Sequence, residues 1–350
     1  MVTNEQVLSA LSTVIDPDFG ADLVSLKMIE DLKVEGNIVS FSIVLTTPAC
    51  PLKDYLERES RRAVIMMTEA QDVQINVISR VPEARKAEIE TNQFKYVIAI
   101  GSGKGGVGKS TIAVNLAYAL AMEGARVGLL DADIYGPNIP RMLGIDRLPP
   151  TPEGHKILPA EVNGIKVVSI GFMVHEGQPL IWRGPILHSA IQQFLTEFDW
   201  GVLDYLVVDL PPGTGDVQLS LNQTLPITGA VVVTTPQQVA VDDAYRAAAM
   251  FQKLDVPLLG IIENMAYLSL PNGQKVFVFG EAGGENLAFR LGIPFLGRIP
   301  LDPAIGQAGD IGTPFVEAGQ SNETAQALRQ IAKNIAAETS KVSHQRQNSG

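Results

Sequence analysis

Between residues 101 and 111 the chain reads Gly-Ser-Gly-Lys-Gly-Gly-Val-Gly-Lys-Ser-Thr, directly after the apolar run 96–100 and at the start of a stretch with helical periodicity. Glycine-rich loops of this spacing, set between a strand and a helix, bind phosphate. Gly103, Gly105, Gly106 and Gly108, with Val107 between the last two, let successive backbone N–H groups turn toward an anion, and the positive end of the following helix adds to the attraction. Lys109 is expected to reach the β and γ phosphates of a nucleotide. The Ser110 hydroxyl, followed by Thr111, is expected to bind Mg²⁺. An ordinary glycine-rich turn would not require the flanking strand and helix.

Two further groups of residues fit chemistry at the same place. The sequence Asp131-Ala-Asp133-Ile-Tyr-Gly follows the apolar run 127–130, and Asp209 follows the run 205–208, ahead of Leu-Pro-Pro-Gly213-Thr-Gly215-Asp216. Carboxylates at the carboxyl ends of parallel strands stand where ligands bind in open α/β sheets. Asp209 can hold the Mg²⁺ shell, and the loop after it can sense a γ-phosphate. A lone Asp at a strand end also serves as a helix N-cap, and the upstream phosphate loop is what favours the nucleotide reading. Asn264, after the run 258–262, carries an amide able to read the donor and acceptor pattern of adenine, which points to ATP. Asn also favours turns, so turn chemistry is the other reading of this position.

These residues need a scaffold, and the chain supplies two patterns. Residues 1–80 form a small α+β unit: helical spacing at Val7, Leu8, Leu11, Val14 and Ile15, extended stretches over 23–34 and 38–45, a second helix over 51–67, and a strand at Val73, Ile75 and Val77. Residues 81–94 read as a charged, solvated linker. From residue 95 to 339, short apolar runs at 96–100, 127–130, 167–170, 205–208, 230–233, 258–262 and 294–299 alternate with helices. That alternation specifies an α/β domain with a mostly parallel sheet covered on both faces. Residues 340–350 are polar and aperiodic and are expected to be a disordered tail.

Composition excludes several classes. The 350 residues carry 27 Lys plus Arg against 38 Asp plus Glu, a formal charge of −11, and acidic residues outnumber basic ones in both halves. Neither a nucleic-acid surface nor an anionic membrane surface is expected from that balance. No signal-like N-terminus and no run of apolar residues long enough to span a bilayer stand in the sequence, so a cytoplasmic protein is expected. The single cysteine, Cys50, rules out an intramolecular disulfide and any metal centre built from four thiolates of one subunit. Cys50 precedes Pro51 at the start of the second helix, where the helix dipole can lower a thiol pKa. It reads either as a small buried hydrophobe or as an exposed thiolate. His155, His175 and His188 show no metal-ligand spacing.

The loop Lys104-Gly-Gly-Val-Gly-Lys109-Ser110, with its additional lysine, resembles the deviant Walker A ATPases, the group of MinD, ParA and the nitrogenase iron protein. In that group the extra lysine reaches the nucleotide of a partner subunit, which implies a homodimer closed on ATP; Lys104 solvated on its own loop is the plainer alternative. Asp133 matches the group's water-positioning residue. The segments 131–138, Trp182-Arg-Gly-Pro185, 209–216, Glu263-Asn-Met265, Phe279-Gly280 and Gly283-Gly284 narrow the resemblance to the Mrp/ApbC family of iron-sulfur cluster carrier ATPases, over about residues 95–335. The first 80 residues, with Asp16-Pro-Asp18 and Thr46-Thr-Pro-Ala-Cys50-Pro51, resemble the PaaD/SufT-type iron-sulfur assembly domain. The resemblance implies a slow ATP hydrolase using ATP and Mg²⁺. It also implies a dimer that hands a [4Fe-4S] cluster, shared between subunits, to client apoproteins in concert with iron-sulfur assembly proteins.

One departure bears on that role. The family places a Cys-Pro-x-Cys pair shortly after the Asn-Met motif, whereas this chain has Leu268-Ser-Leu270-Pro271-Asn272-Gly273. Leucine offers no ligand to iron, so the usual cluster site cannot form and Cys50 is left as the thiol available for one. A MinD/ParA-like switch would want a basic amphipathic C-terminal helix, which residues 335–350 do not offer, and a nitrogenase-like electron donor needs two cysteines per subunit. An ATPase scaffold without a cluster of its own is the remaining alternative.

Overall fold

The structure, a computed structural model, describes residues 2–17, 21–45, 52–79, 93–173, 184–214, 225–317 and 322–348. The chain divides into two compact units, residues 1–82 with 343–350 and residues 83–342. The linker expected over 81–94 lies almost wholly outside the described residues. No helix among them is long and apolar enough to cross a membrane.

In the first unit, helix α1 (Asn4–Leu11) opens on a capping box in which the Thr3 hydroxyl and the Gln6 side chain each take the other's backbone N–H. Sequence periodicity carried this helix on to Ile15, but it stops at Leu11. The hydroxyls of Ser12 and Thr13 donate to the carbonyls of Ser9 and Ala10 and compete with a further helical turn. Ile15 instead begins the short strand β1 (Ile15–Asp16), antiparallel to β2 (Ala21–Asp22). Strands β3 (Ile29–Glu35) and β4 (Ile38–Leu45) form a hairpin; helix α2 (Lys53–Met67) then crosses over to β5 (Asp72–Ser79), which pairs parallel to β4. Val39, Phe41, Ile43, Leu56, Val64 and Val73 fill the space between helix and sheet.

The second unit is built on an eight-stranded sheet. Its strands are β6 (Phe94–Ser102), β7 (Val127–Asp131), β8 (Ala160–Val162), β9 (Ile165–Ser169), β10 (Leu203–Asp209), β11 (Gly229–Thr234), β12 (Leu258–Glu263) and, beyond a small hairpin of β13 (Leu268–Ser269) and β14 (Lys275–Val276), β15 (Phe295–Arg298). Their order is β15-β12-β11-β6-β10-β7-β9-β8, parallel throughout except for the edge strand β8, which runs antiparallel to β9. Each of the seven apolar runs read from the sequence falls on a different parallel strand, with 167–170 running one residue past β9 and 294–299 one residue past each end of β15. Helix α3 (Lys109–Met122) follows β6, the short α4 (Ile139–Met142) follows β7, and α5 (Gly184–Thr196) precedes β10. Helices α6 (Gln238–Lys253), α7 (Gly283–Leu291), α8 (Pro303–Asp310) and, as far as residue 342, α9 (Glu323–Asn348) complete the unit. Helix α3 is buried nearly all round, as expected of a central crossover helix.

The expected disordered tail is corrected here, since α9 continues to Asn348. Its buried positions run on from Ile335 and Ala336 to Thr339 and Ser340. The last two are small polar residues that a count of apolar periodicity passes over. The Thr339 hydroxyl satisfies itself within the helix by donating to the Ile335 carbonyl at 2.7 Å.

Candidate nucleotide site

Strands β6, β7 and β10 are adjacent, and their register sets Ile100, Asp131 and Asp209 side by side at the carboxyl edge of the sheet. The phosphate loop leaves β6 there. Gly108, the residue before α3, has φ of +85°, a left-handed conformation that suits glycine. At Gly103 a different constraint acts: a Cβ would stand 2.2 Å from the Asp243 carbonyl oxygen of α6. Backbone cannot yield as a flexible side chain does, and overpacking of this kind costs about 1–3 kcal/mol. Gly103→Ala is therefore expected to displace the loop and weaken nucleotide binding at least about tenfold, measured by calorimetric titration with a non-hydrolysable ATP analogue. Wild-type affinity in that variant would remove the steric argument.

Lys109 joins the predicted residues. Its Nζ lies 2.6 Å from Asp209 Oδ1, 3.2 Å from Asp133 Oδ2 and 3.5 Å from the Ser110 hydroxyl, with the lysine itself only 5% exposed. Burial raises the pKa of Asp209, while the Lys109 ammonium beside it acts in the opposite sense. Asp209 Oδ2 is buried and takes no hydrogen bond. The loop after Asp209 is tied back to β6, Leu210 N donating to Ile100 O and Gly213 N to Ser102 O.

Asn264 is placed differently from the simplest reading. Its Nδ2 donates to the Val107 carbonyl at 2.8 Å, so the amide donor proposed for a base is engaged by the phosphate loop. The residue before it, Glu263, is buried at the end of β12. It accepts from Gly284 N at the start of α7 and from Arg298 Nε of β15. A Cβ on Gly284 would come within 3.0 Å of the Glu263 side chain, and one on Gly283 within 2.3 Å of the Pro236 carbonyl oxygen. That accounts for the paired glycines of the sequence motif.

A cavity of about 620 Å³ opens over the loop, lined by Lys104 to Gly106, Gly108 to Thr111 and Asp133. Its far wall comes from Tyr135, Asn138, Arg141 and, on α8, Ile305, Gly306 and Asp310. No local spacing in the sequence signals the α8 residues, which the fold alone brings to the site. Lys104 makes no ion pair among the described residues; its carbonyl accepts from the Ser102 hydroxyl at 3.0 Å.

By its spacing Asp131 is a second carboxylate at the strand edge. It is fully buried, and burial together with the nearby Asp209 carboxylate pushes its pKa from the ordinary 3.8 up to about 7, against the pull of the Ser169 hydroxyl. Below about pH 7 the folded chain binds a proton that the unfolded chain does not bind until well below that pH, so the stability Asp131 contributes is lost as pH rises through about 7. Urea unfolding at about pH 5 and about pH 8.5 is expected to show wild type losing stability relative to Asp131→Asn at the higher pH. An unchanged gap between the two proteins would refute this.

Cys50, Thr46 to Pro51, Trp182-Arg183, His175 and the Gly215-Asp216 end of the Asp209 loop lie outside the described residues. Where the family's cysteine pair would stand, β13 and β14 close a turn in which Leu270 N donates to Gln274 O and Gly273 N to Leu270 O. Among the described residues no cluster of His, Cys, Asp and Glu could hold a metal ion by itself.

Comparison with known proteins decides the family. Residues 93–336 match the model of the NUBPL iron-transfer P-loop NTPase, and residues 4–77 match that of an iron-sulfur cluster assembly protein. The chain belongs to this family of P-loop NTPases. It is 47% identical over 97% of its length to an iron-sulfur cluster carrier protein of Synechocystis, covering 99% of that protein. It is 49% identical over 96% to another of that name from Deinococcus radiodurans, covering 96% of it. Among solved structures, a nucleotide-binding protein of Archaeoglobus fulgidus in complex with ADP is 39% identical, with a TM-score of 0.56 over 63% of this chain and 87% of that one. The cell division ATPase MinD of Pyrococcus furiosus, 23% identical with a TM-score of 0.50 over 69% of this chain and 98% of that one, shares the fold. The resemblance read from the motifs, the α/β fold class and the N-terminal assembly domain are all borne out.

Proposed function

We propose that the chain is an ATP-hydrolysing carrier of iron-sulfur clusters that works as a homodimer and delivers its cargo to client apoproteins. The observation that carries the nucleotide half is Lys109 held between Asp209 and Asp133 at the mouth of the phosphate loop. The family membership and the assembly-type domain over residues 4–77 support the cargo.

In this reading the amides of the loop and the start of α3 bind the phosphates, and Lys109 leaves the carboxylates for the β and γ phosphates. Asp133, released from the lysine, orients the attacking water. Mg²⁺ fits residues present here, because Asp209 Oδ2 is a buried carboxylate oxygen with no hydrogen bond and the Ser110 hydroxyl lies 3.5 Å from the same Lys109 Nζ that contacts Asp209. Bound there, the ion would neutralise charge developing on the phosphate oxygens. Asn264 couples base recognition to the loop through Val107. Lys104 supplies a positive charge across the dimer in the manner of an arginine finger.

Subunit mixing tests the dimer. If Lys104 acts in trans, mixing inactive Lys104→Ala with inactive Asp133→Ala restores hydrolysis, because one site of the heterodimer then has both groups. If it acts within its own chain, neither site is complete and the mixture stays inactive. Leu270 in place of a cysteine favours one second reading, an ATPase scaffold that holds no cluster of its own.

A further inference from the structure

Asp131 makes three hydrogen bonds that the reaction as described above does not use. Its Oδ1 accepts from the backbone N–H of Asp133 at 3.2 Å. Its Oδ2 accepts from the backbone N–H of Ile139 at 3.3 Å and from the Ser169 hydroxyl at 2.9 Å. Ile139 is the first residue of α4, so one carboxylate holds both the entry and the exit of the loop 133–138. Ser169 is oriented in turn by Gly171, whose N–H donates to its hydroxyl at 2.9 Å. A Cβ on Gly171 would stand 3.1 Å from Pro137, so the same corner of β9 also braces the outer side of the loop. On the inner side, Ala132 N donates to Asp209 O at 3.0 Å.

The loop secured in this way carries Asp133, Tyr135 and Asn138 onto the cavity wall. The side chain of Asp133 is aimed by what holds its backbone: Oδ1 accepts from Tyr135 N at 3.1 Å, leaving Oδ2 to face Lys109. We infer that Asp131 is a positioning residue for hydrolysis, clamping the 133–138 loop so that Asp133 meets the attacking water. The inference rests on the reading of Asp133 as the water-orienting group. Among the described residues, Asp131 does not line the cavity and its carboxylate accepts from Asp133 N, Ile139 N and the Ser169 hydroxyl, none of them in the phosphate loop, so it acts on the rate through the 133–138 loop and leaves nucleotide binding to the P-loop amides and Lys109.

The test compares Asp131→Asn, Ser169→Ala and Asp133→Ala in the full chain, reading kcat, affinity for a non-hydrolysable ATP analogue and hydrogen exchange. An amide at 131 keeps the shape but only one acceptor oxygen, and a misplacement of about 1 Å in a reacting group can lower rate about 10²-fold. The expected result for Asp131→Asn is a fall in kcat of about that size, analogue affinity within about twofold of wild type, and faster exchange confined to residues 132–142. Ser169→Ala should show the same split with a smaller loss. Wild-type kcat in Asp131→Asn overturns the inference, as does a loss of kcat matched by lost affinity and faster exchange across the phosphate loop and β10. Should Asp131→Asn fail to fold, Ser169→Ala decides in the same terms, a wild-type kcat there overturning it. Hydrolysis retained by Asp133→Ala would instead sink the reading of Asp133. Hydrolysis lost in Asp133→Ala but normal in Asp131→Asn sinks only the role of Asp131.

Discussion

Lys109→Ala is expected to abolish ATP hydrolysis, lowering kcat/KM by about 10³-fold or more, as removal of a preorganised cation from a phosphoryl-transfer site does. The structure adds a second consequence. With Lys109 gone, the buried carboxylates of Asp209 and Asp133 face one another without the ammonium that lies 2.6 and 3.2 Å from them. Removing one member of a buried ion pair typically costs about 3–5 kcal/mol. The nucleotide-free variant should therefore unfold at lower temperature than wild type, and millimolar Mg²⁺ should restore part of the loss by supplying a replacement cation. Asp133→Ala offers the contrast: hydrolysis is lost, but Lys109 keeps Asp209 as a partner and stability falls less. Turnover assays and thermal melts with and without Mg²⁺ check both parts. Retained turnover in Lys109→Ala would remove the lysine from the mechanism.

Anaerobic reconstitution with iron and sulfide is expected to load wild type and to leave Cys50→Ala at background for both iron and labile sulfide. A [4Fe-4S] cluster needs about four ligands, usually thiolates, and each chain offers one cysteine. Two subunits supply two thiolates, so the others must come from a client or a small thiol. Loading should accordingly require a dimer and an added thiol and fall when either is withheld. Equal iron and sulfide in wild type and Cys50→Ala would show that Cys50 is not a ligand. No iron in either would favour the scaffold reading, in which the ATPase works without cargo of its own.

Much of the fold was legible because its signals are local. Six of the seven parallel strands of the large sheet are buried almost throughout and therefore read as short continuous apolar runs; the seventh, the edge strand β15, is only partly buried but keeps an apolar run around Leu296. The phosphate loop, Lys109 and Asp209 were legible for the same reason, since glycine, lysine and strand-end carboxylates sit at spacings set by one strand, one turn and one helix. Signals carried by hydrogen bonds were missed. Apolar spacing ran α1 on to Ile15, but the hydroxyls of Ser12 and Thr13 end it at Leu11. At the other end, Thr339 and Ser340 broke the apolar count without breaking α9.

What the sequence determined by itself is the chemistry on offer: a phosphate cradle, a lysine for it, carboxylates at the edge of a parallel sheet, and one thiol per chain. Tertiary structure decided how those groups are held. Sheet register put Asp131 beside Asp209. It left the Asp131 carboxylate to secure Asp133 N, Ile139 N and the Ser169 hydroxyl, the last 38 residues away in sequence. Packing brought Asn264 to the Val107 carbonyl, 157 residues distant, and brought α8 to the cavity wall. The physical reason is that residue spacing encodes only contacts within one element or turn. A buried polar group finds its partner among whatever the completed fold brings near, because leaving it unpaired away from water costs too much.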